Sequence, residues 1–371
     1  MYKVNITDLQ EIIEEVYKSK TATMVYGPPG IGKSELFRDL SARFAGVEKK
    51  KHVIWAEASR EEKIAMIANP GEYYVFADQR VAQMDPTDLR GIPNMVSGTE
   101  WLETIPMSWI VYFTQPKASG LIFFDEINLA PPLVAAQAYQ IINERTVADR
   151  ALSKDVLIVA AGNRSSDKAY VFDMPLPLRD RFAEVEVFPD AESWTKWAYG
   201  KVNPHLIAFI QWKESYLFKI NEKSDDKSST PRGIARASRL IGEKEITSNG
   251  VHQLISISCG EAFATEFQAY TKHFSQLNWA LIYSKPDTVK DYEVDKLWAI
   301  VGGLAENYIR ERNQDQFNKT VKVILAMKQQ DFSISTLRMV KDQDFKDFKT
   351  FIKKCPDFQT LAKKFGKYVI D

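Results

Sequence analysis

Two hydrophobic patterns alternate along the first half of the chain. Short apolar runs bounded by glycine, proline or charged residues predict buried strands, and apolar residues three or four positions apart predict helices. The predicted strands are residues 21–26, 52–57, 73–81, 121–124, 155–161 and 183–188, and the predicted helices are residues 8–17, 33–44, 59–68 and 132–144. Thr7 or Asp8 is the expected N-cap of the first helix. This alternation indicates a parallel α/β sheet.

Two smaller elements interrupt the alternation. A hairpin or loop elaboration is expected between residues 33 and 125, because residues 84–94 contain Pro86, Gly91 and Pro93. A strand–turn–strand element is expected at residues 146–152.

The second half of the chain has a helical pattern. Trp194, Trp197 and Trp212 recur among aliphatic residues and are predicted to lie in a core. Residues 221–229 form a polar linker or loop, and a helix begins at Thr230-Pro231. Helices then follow one another to the end, and the lysine-rich tail at 345–368 is interpreted as amphipathic, packed on its own domain. No strong strand pattern appears after residue 247.

A glycine-rich segment between the strand at 21–26 and the helix at 33–44 carries the clearest chemistry. It fits the G-x-x-x-x-G-K-[ST] phosphate loop, in which backbone N–H groups and a helix N-terminus face phosphate oxygens. Lys33 is predicted to contact the β- and γ-phosphates, and the Ser34 hydroxyl to bind Mg²⁺. The predicted nucleotide-binding residues here are Gly27, Pro28, Pro29, Gly30, Ile31, Gly32, Lys33, Ser34 and Glu35.

An acidic pair follows the apolar run at residues 121–124. Because ligands bind at the carboxyl ends of parallel strands, Asp125 is predicted to hold Mg²⁺ and Glu126 to polarise the attacking water. An acidic pair at a strand end is also a common solvated cap. The phosphate loop upstream favours the catalytic interpretation.

Three further residues are candidates for contacts with the γ-phosphate. Asn163 follows the strand at 155–161, where an amide can contact both the phosphate and the attacking water, although Gly-Asn is also a common turn. Arg179 and Arg181 flank Asp180 at the end of a predicted short helix at 174–182. They are either surface ion-pair partners or arginines supplied to a neighbouring subunit's nucleotide.

Composition narrows the functional class. The 371 residues include 49 Lys+Arg and 49 Asp+Glu, so there is no global positive charge to attract nucleic acid. Two isolated cysteines, Cys259 and Cys355, indicate neither a disulfide framework nor a zinc site. The N-terminus lacks an apolar signal segment, and no run of residues is long and apolar enough to span a membrane. A cytoplasmic location is therefore expected.

The motifs, in the order in which they occur along the chain, resemble those of an AAA+ ATPase, and within that class those of the MoxR-like branch. The resemblance rests on GPPGIGKS at 27–34 (Walker A), LIFFDEIN at 121–128 (Walker B), GNR at 162–164 (sensor 1), DRF at 180–182 (arginine-finger box) and STPRGIARASRLI at 229–241 (sensor 2). It covers roughly residues 1–245. Two arginines flank Asp180 where the family often has one, and alignment of the RF pair favours Arg181 as the finger.

The resemblance implies the fold, the cofactors and the partners. The fold would be a P-loop NTPase (AAA+) parallel-sheet core at 1–189, an α-helical lid at 190–245 and a helical C-terminal extension at 246–371. The activity would be Mg²⁺-dependent ATP hydrolysis in a homo-oligomeric ring, a hexamer by resemblance, with Arg232 as the sensor 2 residue. Such proteins remodel other proteins, and MoxR-like members commonly work with a partner that bears a von Willebrand factor A-type domain.

Two other functions stay open from the sequence. A nucleic-acid motor is disfavoured by the balanced charge, and ATPase stimulation by DNA that falls steeply with salt would support it. A scaffold that binds ATP without hydrolysing it is disfavoured by the intact Asp125-Glu126 pair, and phosphate-release kinetics would detect it.

Overall fold

The computed structural model describes residues 1–98, 100–164, 174, 179–220 and 226–370. They divide into two compact units, Met1–Phe188 and Pro189–Asp371. The expected short helix at 174–182 and the expected linker at 221–229 lie partly outside the described residues. The subdivision of the second unit at residue 245 stays a prediction.

A parallel sheet of seven strands forms the centre of the first unit. Its strands are β1 (Tyr2–Val4), β2 (Thr23–Tyr26), β3 (Lys51–Ile54), β4 (Tyr73–Arg80), β7 (Ser119–Asp125), β10 (Val156–Gly162) and β11 (Ala183–Val187). Their spatial order is β1-β11-β2-β10-β7-β4-β3, and every neighbouring pair is parallel. The parallel α/β sheet predicted from the pattern is confirmed.

Two antiparallel hairpins lie outside this sheet. The strands of the first are β5 (Ile92–Met95) and β6 (Leu102–Ile105), and those of the second are β8 (Thr146–Val147) and β9 (Arg150–Ala151). The first is the expected elaboration, and the second is the expected strand–turn–strand element. The apolar segment just before β7 is a helix, Ser108–Phe113, whose aromatic side chains are buried.

The helices of the first unit connect its strands. They are α1 (Ile6–Ser19), α2 (Lys33–Val47), α3 (Arg60–Ala68), α4 (Pro86–Arg90), α5 (Ser108–Phe113) and α6 (Pro132–Glu144). The Asn5 side chain accepts a hydrogen bond from the Asp8 N–H and caps α1, so the expected cap at Thr7 or Asp8 is wrong. An asparagine oxygen at the N-cap satisfies an N–H group that the helix leaves unpaired.

Both faces of the sheet are covered, which explains the continuous apolar runs. The ring of Phe123 on β7 packs against that of Phe37 on α2, with 4.8 Å between centroids, while Phe124 beside it contacts Trp109 of α5. A strand buried on both faces has no polar side to alternate with. The β1 strand at the sheet edge was not predicted, because three residues carry too little pattern.

The second unit is helical throughout most of its described residues. Its helices are Ala191–Ala198, Pro204–Trp212, Pro231–Ile241, Asn249–Cys259, Glu261–Ser275, Trp279–Ser284, Val294–Glu311, Gln314–Ala326, Gln330–Gln343, Phe345–Lys353 and Phe358–Ile370. Trp194 is buried, and Trp197 and Trp212 pack against the same core, as predicted. The Thr230 side chain accepts from the Gly233 N–H and caps the predicted helix.

His205 is a polar side chain at the centre of the second unit. It is fully buried, with Nδ1 2.9 Å from the Tyr270 hydroxyl and Nε2 3.0 Å from a Glu306 carboxylate oxygen. Cys259 and Cys355 are buried free cysteines. None of the helices in the described part of the chain combines the length and apolar character that a membrane span requires.

Candidate active site

The phosphate-loop motif lies at the carboxyl end of β2, between the neighbouring strands β10 and β11. The Gly27 N–H donates to the Gly162 carbonyl at the end of β10, which ties the loop to the sheet. A Cβ atom at Gly27 would lie 2.6 Å from Val187 Cγ1, so only glycine fits there. Gly32 has a φ of 103° and is the N-cap of α2. A side chain at this φ would be strained, and the space around Gly32 is open.

Lys33 is the only buried cation of the loop. Its side chain is 8% exposed, and Nζ donates to the carbonyl oxygens of Gly27 at 2.6 Å and Pro28 at 3.0 Å. These bonds curve the loop around the ammonium group. A positive charge inside a ring of backbone at a helix N-terminus is suited to phosphate oxygens.

Ser34 in the first turn of α2 contacts Asp125 at the end of β7. The Ser34 hydroxyl donates to Asp125 Oδ2 at 2.8 Å, although the two residues are 91 positions apart. A hydroxyl and a carboxylate side by side are oxygen ligands of the kind that Mg²⁺ takes together with substrate phosphates. The side chains present therefore fit a nucleoside triphosphate with Mg²⁺, and Ser34 and Asp125 are the residues that would hold the ion.

Glu126 has an unusual backbone conformation. Its φ of 55° lies in the left-handed region, and its N–H donates to Asp125 Oδ1 at 2.9 Å. A non-glycine residue there costs about 1 kcal/mol or more and often marks a functional site. Among the described residues, the Glu126 carboxylate has no hydrogen-bond or ion-pair partner. It is therefore available to accept a proton.

Asn163 is held in place by Asn128, a residue that the sequence analysis did not identify. The Asn163 N–H donates to Asn128 Oδ1 at 3.0 Å, and Asn128 Nδ2 donates to the Asn163 carbonyl at 2.7 Å. Both residues are buried. This two-bond pair fixes the end of β10 beside the acidic pair. The only signal in the sequence was the position of Asn128 two residues after Glu126.

Asp78 on β4 is a second residue that the sequence analysis missed. Burial, together with the negative charges of Asp125 and Glu126, raises the pKa of Asp78 to about 6 against the opposing effect of Arg80. Its Oδ1 atom is buried and has no hydrogen-bond partner in the described part of the chain. The strand register pairs Asp78 with Phe123, close to the acidic pair. The site therefore contains three carboxyl groups.

Arg179 and Arg181 lie at the opposite edge of the sheet, before β11, and differ in their partners. Arg179 makes a bidentate pair with Glu184, with Nε 2.9 Å from Oε1 and Nη2 2.7 Å from Oε2. The Arg181 side chain is exposed and makes no hydrogen bond or ion pair with any residue that the structure describes. The structure thus groups the phosphate loop, the acidic pair and Asn163, and leaves both arginines apart from them.

Arg232 lies in the second unit. It is exposed and occupies the second position of helix Pro231–Ile241. Its assignment as a sensor residue stays a prediction. The exposed Glu35 side chain lies in the first turn of α2, where a negative charge complements the helix dipole.

The family comparison agrees with this geometry. Residues 22–182 match the AAA domain (dynein-related subfamily). The match contains the phosphate loop, the acidic pair, Asn163 and both arginines, and it spans less than half of the chain. Residues 22–182 of the first unit are therefore similar to an AAA domain, a similarity that supports nucleotide binding. No curated protein sequence matches the chain at a significant level.

Two solved structures that match the chain are distant from it in sequence. One is a Cytophaga hutchinsonii protein described as a "putative ATPase", with 12% identity, a TM-score of 0.33, and coverage of 91% of this chain and 81% of that chain. Another is PCH-2 of C. elegans, with 14% identity, a TM-score of 0.28, and coverage of 73% and 62%. Scores this low carry no argument about this chain.

Proposed function

Starting from the AAA domain at residues 22–182, we propose that this chain is an ATPase that works as a ring of identical subunits and remodels a partner protein. The ring is a hexamer of the MoxR-like type, and the partner bears a von Willebrand factor A-type domain. The order of the motifs along the chain supports the MoxR-like assignment. The observation that carries the ring is the position of Arg181.

The residues at the carboxyl edge of the sheet have separate roles in hydrolysis. Lys33 binds the β- and γ-phosphates, and Mg²⁺ held by Ser34 and Asp125 would neutralise charge on the phosphates. Glu126 accepts a proton from the attacking water, since its carboxylate has no partner among the described residues. Asn163, fixed by Asn128, positions the same water. Phosphoryl transfer needs such positioning and charge stabilisation more than covalent chemistry.

Arg181 cannot reach the phosphate loop of its own subunit. Arg181 comes just before β11, whereas the loop comes just after β2. The two strands are parallel neighbours, with Ala183 opposite Thr23 and Glu186 opposite Tyr26. This paired segment alone spans roughly 10 Å, and an arginine at its amino end lies on the wrong edge of the sheet. An exposed arginine without a partner in the described chain is suited to stabilise negative charge on another copy's nucleotide. The pairing of Arg179 with Glu184 supports Arg181 over Arg179 for this role.

A subunit-mixing experiment tests the ring. Arg181→Ala and Lys33→Ala proteins are each expected to be inactive alone. In rings formed from equal amounts of both, about a quarter of the interfaces join an intact loop to an intact Arg181, so part of the activity should return. Ring formation is checked by sedimentation, and phosphate release gives the rate.

Absence of recovery in rings that do form would reject Arg181, and Arg179→Ala would then enter the same test. If Arg179 fails as well, the shared site is wrong. The partner class is tested separately, with Glu126→Gln rings that keep ATP bound. Binding of a purified von Willebrand factor A-type domain only in the presence of ATP is the expected result, and equal binding without nucleotide would contradict it.

A further inference from the structure

A basic cavity lies beside Arg181 at the amino edge of the sheet. Its volume is about 430 Å³, and its lining residues are Lys20, Ala22, Ile142, Asn143, Arg145 and Arg181. Three of the six are cations, and none is a carboxylate. The chain segments that line it are the end of α1, the start of β2, the end of α6 and the residues before β11. The phosphate loop is on the other edge.

Arg145 is committed to the fold of its own subunit. Its Nη2 donates to the carbonyl oxygens of Ser153 at 3.0 Å and Val156 at 2.7 Å. These bonds hold the segment that leads into β10. The cations of the cavity that have no hydrogen bond within the described chain are therefore Arg181 and Lys20.

Lys20 lies at the cavity wall, with its ammonium group over the Tyr17 ring. Its φ of 54° places it in the left-handed conformation that ends α1, and its Nζ lies 3.3 Å from the centre of the Tyr17 ring. Nζ is 3.9 Å from a Glu48 carboxylate oxygen, but that carboxylate already pairs with Lys50 at 2.9 Å and accepts from the Tyr17 hydroxyl. Lys20 is thus oriented without being neutralised by a close partner.

We propose that Lys20 acts in trans, together with Arg181, to stabilise the negative charge that develops on the phosphates of the nucleotide held by the next copy of this chain during hydrolysis. The inference rests on the proposed function. Lys20 and Arg181 are hydrogen-bond donors only, and both line the cavity at the amino edge of the sheet. The proposed function places the neighbouring copy's nucleotide at this edge. A polyanion is the ligand class that such a cavity takes, since three of its six lining side chains are cations and none is a carboxylate.

The test uses three variants of the full-length chain. Lys20→Gln removes the charge and keeps most of the length, Lys20→Arg keeps the charge, and Lys18→Gln is the matched control on the exposed end of α1, outside the cavity. The expected result for Lys20→Gln is normal ATP affinity and ring formation, with turnover reduced about 10-fold or more. Lys20→Arg should recover most of the rate, and Lys18→Gln should match wild type.

Mixing separates a trans role from a structural one. Rings of Lys20→Gln with Lys33→Ala subunits contain interfaces where an intact loop meets an intact Lys20, so the rate per intact loop should rise above that of Lys20→Gln alone. A lysine that acted only within its own subunit would give no such rise. That outcome would overturn the inference.

The pH profile gives a readout that a purely structural lysine would not change. Burial lowers the pKa of Lys20 to about 8, with Glu48 and Asp155 acting against this and Lys50 and Arg145 adding to it. Tyr17 and Arg181 also face the lysine. Wild-type turnover should therefore fall as pH rises above about 8, while Lys20→Arg should hold its rate to higher pH. Identical profiles would also overturn the inference, even if Lys20→Gln folds poorly.

The two proposals fail in different ways. If Arg181→Ala loses hydrolysis but Lys20→Gln behaves like Lys18→Gln, only the role of Lys20 is wrong. If Arg181→Ala keeps full hydrolysis, the shared site itself is wrong, and the proposed function falls with it.

Discussion

The two edges of the central sheet differ in how their polar groups are used. At the carboxyl edge, Lys33 binds loop carbonyls, and Ser34 binds Asp125. At the amino edge, Arg181 and the Lys20 ammonium have no hydrogen-bond partner among the described residues, although both line one cavity. Lys33 and Ser34 are therefore held by groups of the chain itself, whereas Arg181 and Lys20 are, under the two proposals above, available to a nucleotide held by another copy. Substitutions at the two edges should therefore affect different measurements.

The largest expected effect is the loss of turnover when Arg181 is replaced, and Arg179 is the residue to compare it with. Arg181→Ala should lower turnover by roughly 10³-fold or more, because a finger arginine stabilises charge in the transition state. Its melting temperature and ATP affinity should match wild type, since the side chain has no partner in the described chain. Steady-state hydrolysis, a melting curve and equilibrium nucleotide binding measure the three quantities.

Arg179→Ala is the matched change for that prediction. It should lower the free energy of unfolding by about 1 kcal/mol, because the half-buried Glu184 carboxylate loses its bidentate partner. The reverse pattern, with Arg179→Ala abolishing turnover and Arg181→Ala destabilising the fold, would exchange the two roles.

Glu126→Gln should lower turnover by roughly 10²- to 10⁴-fold while Mg²⁺-ATP stays bound, since the amide keeps the shape and cannot accept a proton. Single-turnover phosphate release and the nucleotide content of the purified protein measure the two effects. Glu61→Gln, an exposed glutamate on α3, is the control. Unchanged hydrolysis in Glu126→Gln would mean that another group activates the water.

Lys33→Ala should weaken ATP binding by about 100-fold or more, corresponding to about 3 kcal/mol, because the loop loses its buried cation. Titration calorimetry with ATP measures the affinity, with Lys18→Ala as the control. ATP affinity should therefore fall in Lys33→Ala and stay unchanged in Arg181→Ala. Equal affinity in Lys33→Ala and wild type would remove the phosphate-loop assignment.

The smallest expected effect concerns Asp78 and pH. Its pKa is about 6 in the folded chain against an ordinary value of 3.8 for an aspartate, so the folded state holds the proton more tightly. Between about pH 4 and pH 6 the folded state binds more protons than the unfolded state. Stability therefore falls as pH rises through this range, by about 2 kcal/mol after allowance for solvent screening.

Asp78→Asn should therefore raise stability at pH 7 and flatten the pH dependence between pH 4 and pH 6. Urea unfolding of metal-free protein at several pH values measures both effects. The same slope in wild type and variant would show that the Asp78 carboxyl is solvated in the folded chain.

Features that depend on spacing along the chain could be predicted from the sequence. The phosphate loop, the acidic pair, helix Pro132–Glu144 and the parallel α/β class all follow from local patterns, because a buried strand, a helix face and a glycine turn each span only a few residues. The observed boundaries of these elements differ from the predicted ones by a few residues at most. The cap of α1 at Asn5 differs from the expected Thr7 or Asp8 because the helix already begins at Ile6, two residues before its predicted start at residue 8.

Contacts between distant segments were decided only by the tertiary structure. Asp78 approaches the acidic pair because β4 lies beside β7. Lys20 and Arg181 share a cavity because α1 ends where β11 begins. Hydrophobic periodicity indicates which residues are buried, but not which strand lies beside which. The sequence by itself therefore determined the chemistry of the loop, and the strand order decided which side chains surround it and which face outward.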